Sequence, residues 1–226
     1  MSSALPTGFA TLDQALGIGG LPRGRITELF GPPNSGKTAL ALQAVAHAQG
    51  EQFAAAWIDA EHSFDPAFAS GLGVDVGRLA VLEPASAEEA LDMTRRLAAS
   101  GAIDLVVVDS AAALVPRLEL AVGAAAGASL QSRVLGSELR RLVWMARRTA
   151  VGILFLNQTR IRPEISTGEG ETTAGGPSLK LHAAVRIRLA ASGRSVHFRV
   201  LKNDLGAAFA TGRLEWVPGA GFVEGP

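Results

Sequence analysis

Apolar positions fall along this chain in two alternating rhythms. Short, dense apolar runs at residues 26–30, 53–58, 79–82, 103–108 and 152–156 have the length and composition of buried strands. Between them, residues 38–49, 87–99 and 130–148 repeat apolar positions with a helical period. Strand-like and helix-like segments that alternate in this way predict an α/β fold, with a mostly parallel central sheet and helices on both faces. Ser86, with Glu89 three residues on, opens the second helix as a capping box. Residues 184–190 and 195–201 alternate apolar and polar, which predicts an antiparallel pair extending the sheet. Two stretches break periodicity and read as loops. One covers residues 121–129, small and poor in polar groups; the other runs from Ile161 to about Thr173 and contains Pro163 and the glycines at 168 and 170. No internal repeat is visible.

The 226 residues suit one well-buried domain, so residues 1–226 are expected to form a single unit. Formal net charge is zero, and any nucleic-acid contact must come from a local basic cluster. The chain has no cysteine, which excludes disulfides and thiolate metal sites. Its four histidines, at 47, 62, 182 and 197, lack zinc-site spacing. No apolar stretch is long enough to span a bilayer, and the N-terminus lacks the layout of a signal peptide. A cytoplasmic protein with no membrane partner is the expectation.

Residues Gly31, Pro32, Pro33, Asn34, Ser35, Gly36, Lys37 and Thr38 fit the phosphate-loop pattern G-x-x-x-x-G-K-[ST]. A strand-like run precedes them and a helix-like one, opening Thr38-Ala39, follows, which is the context the pattern requires. The glycines let backbone N–H groups turn inward around phosphates, and the helix N-terminus adds partial positive charge. Lys37 would reach the β- and γ-phosphates and Thr38 would place its hydroxyl on Mg²⁺. The cofactors this predicts are a nucleoside triphosphate and Mg²⁺, with ATP following only from the resemblance given below.

Other positions complete such a site. The run 103–108 ends at Asp109, where a carboxylate would lie beside the ion held at Thr38. Taken alone, an apolar run ending in aspartate is common; downstream of a phosphate loop it reads as a metal ligand. Glu61 follows the strand that carries Asp59 and could orient or deprotonate an attacking water, or be a solvated strand-end acid. Asn157-Gln158 follows the next apolar run; an amide there could sense a γ-phosphate, or merely terminate the strand. Arg133, Arg140, Arg141, Arg147 and Arg148 lie on the long helix, and Arg160 and Arg162 open the second loop. They could contact the phosphates of a DNA strand or form a solvated face. Neither loop carries an aromatic residue for base stacking.

Several segments resemble bacterial RecA, in the family's order and over nearly the whole chain. They are residues 6–25, the phosphate loop, Ile58-Asp59-Ala60-Glu61-His62-Ser63-Phe64-Asp65-Pro66, Val107-Val108-Asp109-Ser110, Asn157-Gln158-Thr159-Arg160, residues 171–176 and Val200-Leu201-Lys202-Asn203. The resemblance implies a RecA-like P-loop NTPase core. It makes Glu61 the catalytic glutamate, with Lys37, and Gln158 the γ-phosphate sensor. It puts Asp65 and Phe68 near the adenine, and Arg133, Arg140, Arg160, Gly175 and Gly176 on single-stranded DNA. Lys180 and Lys202 would face the nucleotide of a neighbouring subunit.

The chain also departs from that pattern. It is expected to lack the family's N-terminal docking segment and C-terminal domain. Asp204 stands where a second lysine belongs, Leu181 replaces an interface aromatic, and Ala128 and Pro163 replace apolar wedges in the loops. Two functions follow from the resemblance. One is an ATP- and DNA-binding protein of recombination, repair or the SOS damage response, with weak or DNA-dependent hydrolysis and a homo-oligomer as one form. The other is an accessory paralogue similar to ImuA, which regulates RecA or a translesion polymerase subunit.

Overall fold

The computed structural model describes residues 4–122, 128–161 and 171–225, with the side chains of 128, 129, 160, 161 and 171 left aside. In chain order the strands are β1 (Ala4–Leu5), β2 (Leu21–Pro22), β3 (Ile26–Gly31), β4 (Ala55–Asp59), β5 (Ala80–Leu82), β6 (Leu105–Asp109), β7 (Gly152–Ile161), β8 (Glu171–Thr173), β9 (Val185–Ser192), β10 (Ser195–Asn203), β11 (Thr211–Val217) and β12 (Gly221–Glu224). The helices are α1 (Ala10–Leu16), α2 (Lys37–Gly50), α3 (Pro66–Gly71), α4 (Ala87–Ala99), α5 (Arg117–Val122), α6 (Ala128–Thr149) and α7 (Pro177–His182). The main sheet has the order β12-β11-β10-β9-β3-β7-β6-β4-β5, and β8 pairs antiparallel with the far end of β7. From β9 to β5 every pairing is parallel; β9 to β12 pair antiparallel, which is the predicted extension, two strands wider than expected.

The central strands are apolar on both faces because helices cover both. Alternate residues of one strand therefore enter different cores. Trp57, Val107, Leu154 and Leu156 join the core under α2, while Ile58, Val106, Val108, Ile153 and Phe155 join the core under α4 and α6. Helix α4 starts where expected. The Ser86 hydroxyl accepts from the Glu89 N–H at 3.2 Å, while the Glu89 carboxylate reaches back to the Ala85 N–H at 3.0 Å, one residue earlier than in a capping box.

Three boundaries differ from expectation. β7 does not end at Leu156 but continues through Asn157-Gln158 to Ile161, because the polar residues find partners: the Asn157 side-chain N–H donates to Glu28 at 2.8 Å and to the Ala174 carbonyl at 3.1 Å. Of the first predicted loop, Ala121 and Val122 end α5 and Ala128 and Ser129 begin α6; residues 123–127 lie outside the described residues. Of the second, Ile161 belongs to β7 and residues 171–173 form β8; residues 162–170, which include Arg162 and Pro163, lie outside the described residues. Among the described residues no helix is long and apolar enough to cross a membrane.

Candidate active site

Four adjacent parallel strands, β3, β7, β6 and β4, deliver their carboxyl ends to one side of the sheet, where ligands bind in open α/β folds. At the end of β3 the chain turns through residues 32–36 and enters α2 at Lys37. Gly36 makes that turn with φ 83° and ψ 13°, and a Cβ there would come within 2.5 Å of Phe222 Cζ, so conformation and space both demand glycine. No side chain caps α2, whose first N–H groups are thus available to an anion. A cleft of about 510 Å³ opens above them. One side is formed by residues 33–39 with Glu61, Phe68, Asp109 and Gln158, the other by Ala191, Gly193, Arg194, Val196, Trp216 and Phe222.

The Lys37 ammonium is buried and donates to the carbonyls of Pro32 at 2.8 Å and Gly31 at 3.2 Å, within the loop itself. Burial pushes it below the usual lysine range, and the charges of Asp109 and Glu61 oppose that shift. The Thr38 hydroxyl donates to Asp109 at 3.1 Å. Burial first, then the Glu61 charge, pushes the Asp109 carboxyl up to about 7; the Thr38 bond and Lys37 act the other way and Asp59 adds to the rise. Hydroxyl and carboxylate together make a hard oxygen donor pair of the kind Mg²⁺ takes when substrate phosphates supply the other ligands.

Glu61 follows β4 and accepts from the Ser110 hydroxyl and, at 3.3 Å, from the Gln158 side chain of β7. A carboxylate fixed by two neutral donors, one just past the end of β6 and one on β7, is well placed to hold a water. Asn157, its neighbour in sequence, is fully buried and structural. Phe68 lines the cleft at 40 % exposure, whereas Asp65 caps α3, its carboxylate accepting from the N–H groups of Ala67 and Phe68. Reading the residues in order does not reveal Ser110 as a partner of Glu61, nor the far wall. Arg194 sits in the two-residue turn between β9 and β10, and its carbonyl accepts from the Trp216 N–H at 2.7 Å. The available signal for the wall is the aromatic pair Trp216 and Phe222, edge-on with centroids 5.1 Å apart.

The residues expected on DNA are partly brought together. Arg133 and Arg140 are exposed on α6. Gly175 and Gly176 turn between β8 and α7 directly against Leu135 and Ser132 of the same helix. Arg160 is paired through its backbone with Thr172, and Arg162 lies outside the described residues. Lys180 is exposed at the end of α7. Lys202 donates to the Ala183 carbonyl at 2.7 Å and lies 3.5 Å from Asp204.

The profile of the RecA N-terminal domain matches residues 2–222. The chain belongs to the RecA family. It is 43 % identical over 231 residues to Protein RecA of Clavibacter michiganensis subsp. michiganensis, covering 97 % of this chain and 64 % of that protein. Against Protein RecA of Treponema pallidum the identity is 43 % over 230 residues, with coverages of 96 % and 56 %. Against that of Thermus aquaticus it is 42 % over 236 residues, with 96 % and 68 %. The RecA-family chain thus spans less than two thirds of the length of several curated relatives. Its fold matches the crystal structure of the RadB recombinase with a TM-score of 0.76 at 21 % identity, covering 98 % of this chain and all of that one.

Proposed function

We propose that this chain is a RecA-like ATPase core that binds ATP with Mg²⁺ in the cleft and single-stranded DNA beside it, in recombination, repair or the damage response. The observation that carries the reading is the convergence of Lys37, Thr38, Glu61, Asp109 and Gln158 at the carboxyl ends of adjacent parallel strands. The cleft volume lies in the range of small-molecule sites, and Lys37 with the uncapped α2 gives it the charge a triphosphate needs. Thr38 and Asp109 would hold Mg²⁺, which when bound neutralises negative charge on the transferring phosphoryl group. Lys37 would move from its carbonyl partners onto the phosphates. Glu61 would orient the attacking water and accept its proton, and Gln158 would report the γ-phosphate to the segment that follows β7.

The test is ATP hydrolysis by the purified chain with and without single-stranded DNA. Turnover that rises at least several-fold with DNA supports a self-sufficient ATPase; ATP bound without turnover in either condition rejects hydrolysis.

One observation favours the second reading, an accessory paralogue that docks on RecA or a translesion polymerase subunit. Lys202, expected to serve a neighbouring nucleotide, is occupied by Asp204 and by main-chain carbonyls. On the self-assembly reading Asp204→Lys should raise DNA-dependent turnover. Unchanged turnover in that variant speaks for docking on another protein.

A further inference from the structure

We infer that the solvent face of α6 is a track for single-stranded nucleic acid, on which Trp144 stacks against an unpaired base. The inference rests on the DNA-binding reading above and adds a stacking residue to it.

The protein is neutral overall, yet this 22-residue helix carries five arginines and a single acid, Glu138. Its inner face, Leu135, Leu139, Leu142 and Ala146, is buried in the core that it shares with α4, α7 and the sheet. Arg133, Arg140, Arg141, Trp144, Arg147 and Arg148 are all exposed. At 100° per residue these six fall within roughly a third of the helix circumference. Glu138 neutralises Arg141 alone, at 2.8 Å.

Trp144 is the anomaly on that face. It is 56 % exposed, whereas Trp57 is in the core and Trp216 walls the cleft. Arg148 lies 4.6 Å from its ring centroid, one helical turn beyond, and Arg140 lies one turn before it. Among the described residues no aromatic side chain stacks on the indole. A flat ring held between cations at helical spacing suits a strand that offers a phosphate and a base in alternation, and the stacking tolerates any base. A duplex hides its base faces, and an acidic peptide would answer the arginines but not the ring. The two predicted loops hold no aromatic residue, so α6 provides the stacking platform that they lack.

The experiment is fluorescence anisotropy of a labelled oligo(dT), and of an abasic oligomer of equal length, across a salt series with Mg²⁺ and ATP present. Trp144→Ala should weaken oligo(dT) binding about 10-fold while leaving abasic binding and the salt slope unchanged, since it removes a base contact and no phosphate contact. Trp144→Phe should restore most of the affinity, and Arg148→Ala should lower the salt slope by about 0.7. Oligo(dT) affinity unchanged in Trp144→Ala, or equal losses on both oligomers, overturns the inference while leaving DNA binding intact. A parent chain that binds neither oligomer overturns both readings.

Discussion

Replacing Lys37 with alanine is expected to weaken ATP binding by about 100-fold or more and to remove the thermal stabilisation that ATP gives the parent chain. Among the described residues Lys37 is the one lysine that lines the cleft, its ammonium held within 3.2 Å of the carbonyls of Gly31 and Pro32. A triphosphate entering that loop exchanges neutral carbonyl acceptors for charged oxygens, and truncating one partner of such a buried charge pair costs about 2–5 kcal/mol. Each 1.4 kcal/mol is roughly a factor of ten in affinity.

The same variant should fold. Burial already disfavours the Lys37 charge, so removing the side chain relieves desolvation as well as losing hydrogen bonds. Isothermal titration with ATP and a melting curve with and without ATP therefore separate a lost site from a lost fold. At ligand concentrations of about 100 Kd the parent gains roughly 2.7 kcal/mol from binding, a shift that the variant should not show. Unchanged affinity in Lys37→Ala would remove the phosphate-loop assignment altogether.

What could be read from the residues in order, and what could not, follows from where each residue's partners lie. The parallel strands are legible because burial on both faces makes them uniformly apolar, as in Val106-Val107-Val108. The phosphate loop is legible because its geometry depends on local residues such as Gly36. The far half of β7 is not, since Asn157 and Gln158 look like a strand terminator until Glu28, 129 positions away, is seen to accept from the Asn157 amide. Glu28 itself, a fully buried acid within an apolar strand, makes sense only with Arg186 of β9 at 2.5 Å. The wall of the cleft is hidden for the same reason. Val196, Trp216 and Phe222 reach the phosphate loop only because β9 pairs with β3 and carries three further strands with it. Thr38 and Asp109 are legible as a pair from the phosphate loop and the apolar run that ends in an acid, whereas the hydrogen bond from Ser110 to Glu61 depends on a side-chain direction that no spacing records.

Asp109→Asn is expected to make the ligand-free protein more stable at pH 8 while abolishing the contribution of Mg²⁺ to ATP affinity. The Asp109 carboxyl is pushed from the ordinary 3.8 up to about 7, chiefly by burial and by the charge of Glu61. Between those two values the folded chain keeps a proton that the unfolded chain has released. Stability attached to this group is therefore complete below about pH 4, falls as pH rises and is fully lost above about 7. The loss is on the order of 4 kcal/mol at its limit, from 1.36 kcal/mol per pH unit. Asparagine cannot ionise, so the variant's melting temperature should match the parent's near pH 4 and exceed it progressively toward pH 8. Binding reverses the sign, because Mg²⁺ needs the carboxylate. Affinity for Mg²⁺ and ATP in the parent should decline as pH falls below about 7, with a proton released per ion bound, and in Asp109→Asn it should be flat and low. Glu61→Gln provides the cross-check: removing the neighbouring charge should bring the Asp109 transition to lower pH without touching the Thr38 hydrogen bond. Parent and variant melting curves that run parallel from pH 4 to 8 would mean that Asp109 is ionised throughout, and the electrostatic account of this site would fail with it.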